Sequence, residues 1–130
     1  MIAGLRRVRV VIQAFYELAR YDVLLAVFHV QNIHRQLAIP YPDVLERDPR
    51  REAAIVAIFD LTTSLYWKRV RCLQRSVCLV RLLRKHGVPA RLVIGYRPAP
   101  LVSHAWTEVH SQVVADSSAY PDRLRILMSV

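Results

Sequence analysis

The segment from Cys72 to Tyr96 reads CLQRSVCLVRLLRKHGVPARLVIGY, and the period of its hydrophobic residues changes part-way along it. Before Gly87 the apolar residues recur at helical spacing, whereas after Pro89 they alternate as in a strand. Gly87 and Pro89 form a helix stop signal, because glycine suits the left-handed backbone at a helix end and proline cannot continue a helix. The segment therefore predicts a helix over 72–86 that leads into a strand over 91–96. The apolar stripe of this helix comprises Leu73, Val77, Val80 and Leu83, with Arg71, Arg75, Arg81 and Arg84 off it.

Upstream of this segment the pattern is helical. Apolar residues at helical spacing predict one long helix or a helix pair over 5–37, ended at Pro40, and a further helix over 51–65. In the first region the apolar residues at this spacing are Val8, Val11, Ile12, Phe15, Leu18 and Ala19, and a dense apolar run over 23–30 follows. This region is therefore expected to pack on both faces. In the second region Ala54, Ile55, Ile58, Phe59 and Leu61 lie on the expected core side.

Downstream of this segment the pattern alternates. It predicts strands over 104–109 and 112–115 and a short last strand over 124–128. Helices first and an antiparallel sheet afterwards make an α+β fold. We expect one domain over residues 1–130, because the length suits a single hydrophobic core. Its helical part would be residues 1–65, and residues 66–130 would carry the catalytic helix and the sheet.

Positive charge is concentrated in one part of the chain. The protein has 19 Lys and Arg against 10 Asp and Glu, and the stretch from Leu61 to Thr107 contains nine basic residues and no acidic one. One interpretation is a solvated helix face, or a surface for nucleic acid or membranes. The other is a positive field that favours the thiolate of Cys72 and attracts an acidic peptide or partner. Charge alone does not choose between them.

The N-terminal region resembles neither a secretory signal nor a membrane span. Its apolar run is interrupted by Glu17, Arg20 and Asp22, and a membrane helix needs about 20 mostly uncharged residues. The two cysteines, Cys72 and Cys78, lie too close together in one helix to form a disulfide without distorting it. We therefore expect reduced thiols and a cytoplasmic protein.

Three residues suggest a thiol catalytic triad. Cys72 begins a helix, His104 begins a strand, and Asp116 closes the next strand. A helix start supplies backbone N–H groups and the positive end of the helix dipole, which stabilise a thiolate. A hydrolytic thiol also needs a base to move its proton and a group that orients the base.

The place of Asp116 depends on the hairpin between the two strands. A three-residue loop over 110–112 would pair Val109 with Val113 and put Asp116 opposite Trp106, one diagonal from His104 at roughly 7 Å between Cα atoms. A two-residue loop would shift Asp116 to another register and face. The triad geometry is therefore conditional on the loop.

Other thiol and imidazole groups have simpler interpretations. Cys78 lies in mid-helix, where a cysteine is usually a small buried apolar residue. A metal site built from Cys72, Cys78, His86 and His104 is disfavoured, because no close-spaced ligand pair exists. The remaining histidines, His29, His34 and His110, are interpreted as structural or exposed. Metal and cofactor are both expected to be absent.

At these motifs the sequence resembles the transglutaminase-like cysteine proteases, and within them the leader peptidases of lasso-peptide biosynthesis. The resemblance covers roughly residues 65 to 118. It is carried by Trp67 upstream of Cys72, by the segments CLQRS, LLRKHGVPARLVIG and HAWTE, and by VVAD ending at Asp116. One departure is Val70-Arg71, which stands where the family often has a Pro-Thr-like pair that caps the catalytic helix.

The resemblance implies a papain-like core with the nucleophile at a helix N-terminus. Cys72 would be the nucleophile, His104 the base and Asp116 its orienter, and Trp67 and Trp106 would wall the substrate cleft. The implied reaction is removal of the leader from a ribosomally made precursor peptide, which frees the core amine for ring closure. The implied partners are that precursor, a separate leader-recognition protein and an ATP-dependent lasso cyclase, without nucleic acid or membrane insertion.

Two other functions stay open at this point. The same triad could transfer the acyl group to an amine, as transglutaminases do. Alternatively, the chain could be a non-catalytic basic module that binds nucleic acid or anionic lipid through residues 61–107. The basic residues are not interleaved with a row of aromatic residues suited to base stacking, which disfavours nucleic acid.

Overall fold

Four helices precede a four-stranded antiparallel sheet. A computed structural model of the chain describes residues 2–29, 32–42, 48–98, 101–114 and 124–130. The helices are α1 Ile2–Ala26, α2 Ile33–Leu37, α3 Pro49–Leu65 and α4 Cys72–Lys85. The strands are β1 Ala90–Pro98, β2 Leu101–Val109, β3 Gln112–Val114 and β4 Arg125–Ser129. The prediction of an α+β fold is confirmed, and the N-terminal region is a helix pair rather than one helix.

The sheet has the strand order β3-β2-β1-β4, and its neighbouring strands run antiparallel. Its longest pairing is the β1–β2 hairpin, in which Ala90 lies opposite Val109 and Gly95 opposite His104. On the other side β1 pairs with β4, with a register shift between Ile94 and Gly95. The two central strands are therefore β1, which belongs to the segment from which the fold was predicted, and β2, which contains His104.

Helix α4 lies at the centre of the molecule and packs against α1, α2, α3, β1 and β2. It begins at Cys72 and ends as predicted, with Gly87 at a φ of 76° and the Val88 N–H donating to the Leu83 carbonyl. The single apolar stripe predicted for it is wrong, because ten of its fourteen residues are buried. Arg81 and Arg84, expected away from the core, are among them.

Arg84 is buried because its guanidinium binds three backbone carbonyls. It donates to the carbonyl oxygens of Ala90, Ile39 and Val130 at 2.9, 2.9 and 3.1 Å. A buried guanidinium with several acceptors satisfies both its own donors and the backbone. The end of α4 is thereby attached to the start of β1 and to the end of β4.

Among its described side chains, helix α1 is buried on one face, whereas the sequence predicted packing on both faces. Of the apolar residues at helical spacing, Leu18 is buried, but Val8, Ile12 and Ala19 are exposed. The buried apolar residues of α1 are Val10, Ala14, Leu18 and Tyr21. In α3, Ile55 and Phe59 are buried as predicted, whereas Ala54 and Leu61 are exposed. The helical period was therefore recognised correctly, but the buried faces were not.

The buried face of α1 includes a charged residue, Glu17, which is fully buried. Its Oε2 accepts a hydrogen bond from Nε of Arg81 at 2.6 Å, and its Oε1 contacts the Lys85 ammonium. The Cys78 thiol also donates to the Glu17 carbonyl at 3.3 Å. Buried charges need such partners, so Glu17 fixes the face of α1 that packs on α4.

We predict that Glu17→Ala destabilises the protein by about 3–5 kcal/mol, because it leaves the buried Arg81 guanidinium without its carboxylate. The measurement is the free energy of unfolding from urea denaturation. Asp60→Ala is the matched control, since Asp60 pairs with Arg75 at 2.6 Å on the half-exposed surface. It should change the free energy by no more than about 1 kcal/mol. Equal effects of the two substitutions would contradict the role given to Glu17.

Candidate active site

Cys72 is the first residue of α4, and its side chain is exposed. Arg71 occupies the N-cap position without a side-chain cap, although its carbonyl accepts from the Arg75 N–H at 2.8 Å. The first N–H groups of a helix have no acceptor within that helix. The thiol therefore lies beside backbone donors and the positive end of the α4 dipole, as the sequence predicted.

His104 lies in β2 and is partly buried. Its ring stacks on the indole of Trp106, with ring centroids 6.2 Å apart and an interplanar angle of 22°. The indole is almost fully buried, and its Nε1–H donates to Glu108 Oε2 at 2.7 Å. His104, Trp106 and Glu108 are every second residue of the strand and lie on the same face, as predicted. The imidazole therefore rests on a buried, hydrogen-bonded platform.

A cavity of about 180 Å³ is lined by both Cys72 and His104. The α4 side contributes Cys72, Arg75 and Ser76, and the sheet side contributes residues 104–107. Four consecutive strand residues belong to both faces of a sheet, so the cavity lies along the edge of β2. Among the described residues, β3 pairs with β2 only at residues 107–109, and the cavity adjoins the end of this pairing.

The separation between the cysteine helix and the histidine strand is fixed by a buried hydrogen bond. Thr107 Oγ1 donates to the Ser76 carbonyl at 3.3 Å, and both residues are buried. Ala105 and Val109 on the same side of β2 belong to the hydrophobic core with Val77 and Val80 of α4. The two walls of the cavity are thus one packed unit.

Gly95 makes room for the Trp106 ring from the neighbouring strand. A Cβ atom at this position would lie 2.7 Å from Cη2 and 2.9 Å from Cζ3 of the indole, and 2.9 Å from Leu124 Cβ. Such distances are well below van der Waals contact. Gly95 is also the residue paired with His104 across the β1–β2 hairpin. The absence of a side chain at Gly95 leaves the space that the indole ring fills.

The structure has the shorter of the two loops considered between β2 and β3. Val109 pairs with Gln112, so the loop has two residues, His110 and Ser111, with φ of 50° and 63°. This backbone is typical of a type I′ turn, which usually contains asparagine or glycine, and neither occurs here. Asp116 lies outside the described residues. The register argument that put it beside His104 no longer applies, so its role stays a prediction that rests on the resemblance.

The two tryptophans differ in their relation to the cavity. Trp106 lines it, whereas Trp67 does not and is 79% exposed, in the segment that precedes α4. The sequence analysis expected both to wall the cleft. Trp67 contacts Tyr66, with ring centroids 6.0 Å apart, and the Lys68 ammonium 5.9 Å from its ring. The place of Trp67 in the wall of the substrate cleft therefore stays a prediction.

Cys78 is part of the core, as predicted. Burial raises the pKa of its thiol, and the nearby carboxylate of Glu17 raises the pKa further. Both cysteines are unpaired, and within the described part of the chain no group of three His, Cys, Asp or Glu residues could hold a metal ion. Cys72 and Cys78 therefore have different environments although they lie in the same helix.

Many basic side chains of the positive segment 61–107 are bound to other groups of the protein. Five of its nine basic residues bind acidic side chains or backbone carbonyls from other elements. The ion pairs are Lys68–Asp22, Arg75–Asp60, Arg81–Glu17 and Lys85–Glu17, and Arg84 binds carbonyls. The interpretation of the whole segment as an external positive surface is therefore wrong for these five. No helix in the described residues is long and apolar enough to cross a membrane.

A family model described as the transglutaminase-like superfamily matches residues 15–129, which is most of the chain. The chain belongs to the transglutaminase-like superfamily. The expected core of this family, helices followed by a small antiparallel sheet with a cysteine at a helix start, agrees with the observed arrangement of α4 and β1–β4.

Among curated proteins, the chain is similar to the microcin J25-processing protein McjB of Escherichia coli, with 39% identity over 59 residues. The aligned segment covers 45% of this chain and 28% of that protein, so the match extends over less than a third of the relative. No solved structure matches the chain.

Several residues that shape this transglutaminase-like site were not singled out from the sequence. Ser76 and Thr107 join its two walls, and Gly95 makes space for the indole. A glycine inside an alternating strand signals a close approach by another group, so Gly95 could have been recognised. The Thr107–Ser76 bond joins residues 31 positions apart and has no local sequence signal.

We predict that Gly95→Ala destabilises the protein by about 1–3 kcal/mol, because the new methyl group displaces the Trp106 ring. The near-ultraviolet circular dichroism of the tryptophans should change with it. Gly4→Ala is the control, since no atom lies within 4 Å of a Cβ there. In a helix this change should be neutral or stabilise by up to about 1 kcal/mol. An unchanged tryptophan spectrum in Gly95→Ala would contradict the packing argument.

Proposed function

We propose that this chain is a cysteine peptidase that removes the leader from a lasso-peptide precursor. The observation that carries the proposal is the shared cavity, in which the exposed Cys72 at the start of α4 and His104 of β2 meet. Membership of the transglutaminase-like superfamily supports thiol chemistry at this place. Similarity to a protein named for the processing of microcin J25 supports a peptide precursor as the substrate.

In the proposed reaction the thiolate of Cys72 attacks the carbonyl carbon of the scissile peptide bond. The tetrahedral oxyanion is stabilised by N–H groups at the start of α4, which have no helical acceptor. The C–N bond then breaks, and the leaving amine takes a proton from His104. Water, deprotonated by His104, hydrolyses the thioester and releases the leader. Asp116 is proposed to hold the imidazole in the required orientation.

The proposed partners follow from the resemblance. They are the precursor peptide, a separate leader-recognition protein and an ATP-dependent cyclase that closes the freed amine onto a side-chain carboxyl group, in the cytoplasm. A row of exposed apolar residues along α1 supports a protein contact, because soluble proteins seldom expose long apolar faces. This row comprises Leu5, Val8, Ile12 and Tyr16. Better solubility on co-expression with a partner would agree with such a contact.

We predict that iodoacetamide labels Cys72 but not Cys78 in the folded protein, because Cys72 is exposed and Cys78 lies in the core. The sites are read separately by mass spectrometry. In His104→Ala the labelling of Cys72 should slow, because the base that takes the thiol proton is absent. Equal reactivity of the two cysteines, with no effect of His104→Ala, would sink the thiolate–imidazole pair.

We further predict that Cys72→Ala lowers the rate of leader cleavage at least about 10³-fold, because the nucleophile is absent. Cleavage of the precursor is followed by mass spectrometry with the recognition partner present. Cys78→Ala is the matched control and should retain activity once its folding has been verified, since its thiol lies in the core.

The same assay distinguishes hydrolysis from acyl transfer. With an excess of a primary amine, a peptidase releases mainly the free carboxyl form of the leader, whereas a transferase releases mainly the amide. Unchanged cleavage in Cys72→Ala would overturn the proposed nucleophile. A predominance of amide would favour the transglutaminase-like reaction instead.

A further inference from the structure

A second, larger cavity lies at the other end of α4. Its volume is about 830 Å³, and its walls come from α1, the start of α3 and the end of α4. The cationic side chains that line it are Arg6, Arg7, Arg9, Arg50, Arg51 and Lys85. We call this cavity the basic cleft. None of its arginines belongs to the segment 61–107 whose charge was noted in the sequence, so folding creates this concentration of charge.

Within the described residues, the charge of the basic cleft is not balanced by carboxylates. Lys85 contacts Glu17, but no described carboxylate forms an ion pair with any of the five arginines. The lining contains one acidic side chain, Asp48, which accepts from the Arg51 N–H at 3.2 Å as the N-cap of α3. Positive charges clustered in a concave site raise the local concentration of anions. The cleft therefore favours a ligand that carries several negative charges.

One arginine of the cleft is held in place by His86. Nη2 of Arg51 lies 3.2 Å from Nδ1 of the imidazole, and Nε2 lies 2.8 Å from Oε1 of Gln13 in α1. A neutral ring can accept from Arg51 only through Nδ1, and it then donates from Nε2 to Gln13. Burial lowers the pKa of His86, and Arg51, Arg9 and Lys85 lower it further. The neutral imidazole thus joins α1, α3 and α4 around the cleft.

The lining of the cleft is also partly apolar. Val10 and Ile55 are buried, and Ile58 and Ala54 complete the apolar part. Among the lining residues there is no Phe, Tyr or Trp side chain on which a base could stack. Guanidinium groups around an aliphatic surface suit a polypeptide that alternates carboxylates with apolar side chains. They are less suited to a nucleic acid.

The position of the cleft relates it to the candidate active site. Cys72 and His86 lie at opposite ends of α4, and 14 residues at 1.5 Å each separate them by about 21 Å. An extended peptide spans about 3.3–3.6 Å per residue, so roughly six residues would bridge the two sites. A peptide cleaved at Cys72 is long enough to reach the cleft if it extends a few residues beyond the scissile bond.

We propose that the basic cleft is an exosite that binds an acidic, amphipathic stretch of the peptide substrate, several residues away from the bond cleaved at Cys72. As an exosite it rests on the proposed peptidase function. As a binding site it can be tested separately from catalysis.

The test measures binding of a fluorescein-labelled peptide of about 12 alternating Glu and Leu residues, long enough to fill the cleft. Fluorescence anisotropy is recorded with the full chain carrying Cys72→Ala, and a Gln–Leu peptide is the uncharged counterpart. The double variant Arg6→Glu/Arg50→Glu reverses two exposed charges of the cleft at helix starts, where glutamate is tolerated. The double variant Arg35→Glu/Arg97→Glu makes the same change in net charge elsewhere on the surface.

We expect Arg6→Glu/Arg50→Glu to weaken binding of the acidic peptide at least about tenfold, equivalent to 1.4 kcal/mol. The control variant should change it less than about twofold, since distant exposed charges are screened at physiological salt. Equal binding of the Gln–Leu peptide would overturn the proposal, as would equal losses in the two double variants. Tighter binding of a single-stranded oligonucleotide, lost in the same cleft variant, would replace the peptide with nucleic acid.

A second measurement connects the cleft to the reaction. With the precursor as substrate and Cys72 intact, Arg6→Glu/Arg50→Glu should raise KM with little change in kcat, because the lost contacts are remote from the reacting bond. Intact peptide binding without any cleavage would sink the peptidase and leave the cleft as a binding site. Normal cleavage with an unchanged KM would sink the exosite and leave the peptidase.

Discussion

The buried ion pair between Glu17 and Arg81 determines how the helical half meets the rest of the protein. Two charges are removed from water inside the α1–α4 interface, and this is tolerable only because each finds close partners. Arg81 also donates to the Leu37 carbonyl at the end of α2, so the same guanidinium anchors three helices. A buried ion pair of this kind does little for net stability compared with an apolar contact. It does select one rotation of α1, because any other leaves a charge unpaired.

The consequence of this selection extends to both ends of α4. With α1 on one side and the sheet on the other, the helix is enclosed along its middle and accessible only near its ends. At its start the exposed Cys72 adjoins the edge of β2, and at its end His86 adjoins the basic cleft. The core cysteine, Cys78, lies between them, where burial and the nearby carboxylate of Glu17 raise the pKa of its thiol. Position along one helix thus separates an exposed thiol from a buried one.

Local signals predicted the elements of the fold well, and long-range ones predicted its contacts poorly. The change of period at Gly87 and Pro89 placed the boundary between helix and strand correctly, because this boundary depends on backbone chemistry within a few residues. The burial of Arg81 and Arg84 could not be predicted in this way, because most of their partners lie 44 to 64 residues away in sequence. An amphipathic stripe assumes that arginine faces water. That assumption fails where a carboxylate or carbonyl that is distant in sequence binds the arginine inside the fold.

The candidate site shows the same division. The start of α4 at Cys72 and the strand with His104 were foreseen, whereas the length of the hairpin loop after β2 was left open, because His110 and Ser111 adopt a left-handed backbone that usually signals glycine or asparagine. A single residue of loop length moves every later side chain to the other face of the sheet.

The basic cleft illustrates a further limit of sequence analysis. Its arginines belong to segments whose overall charge is unremarkable, because acidic residues such as Glu17 and Glu52 lie nearby in sequence. In the fold these carboxylates are buried, one of them against Arg81 and Lys85, while the neighbouring arginines face the cleft. In the dense basic segment 61–107, by contrast, most of the basic side chains bind carboxylates or carbonyls of the protein itself. Net charge along a chain therefore says little about where a field forms, since folding assigns each charge either to an internal partner or to the surface.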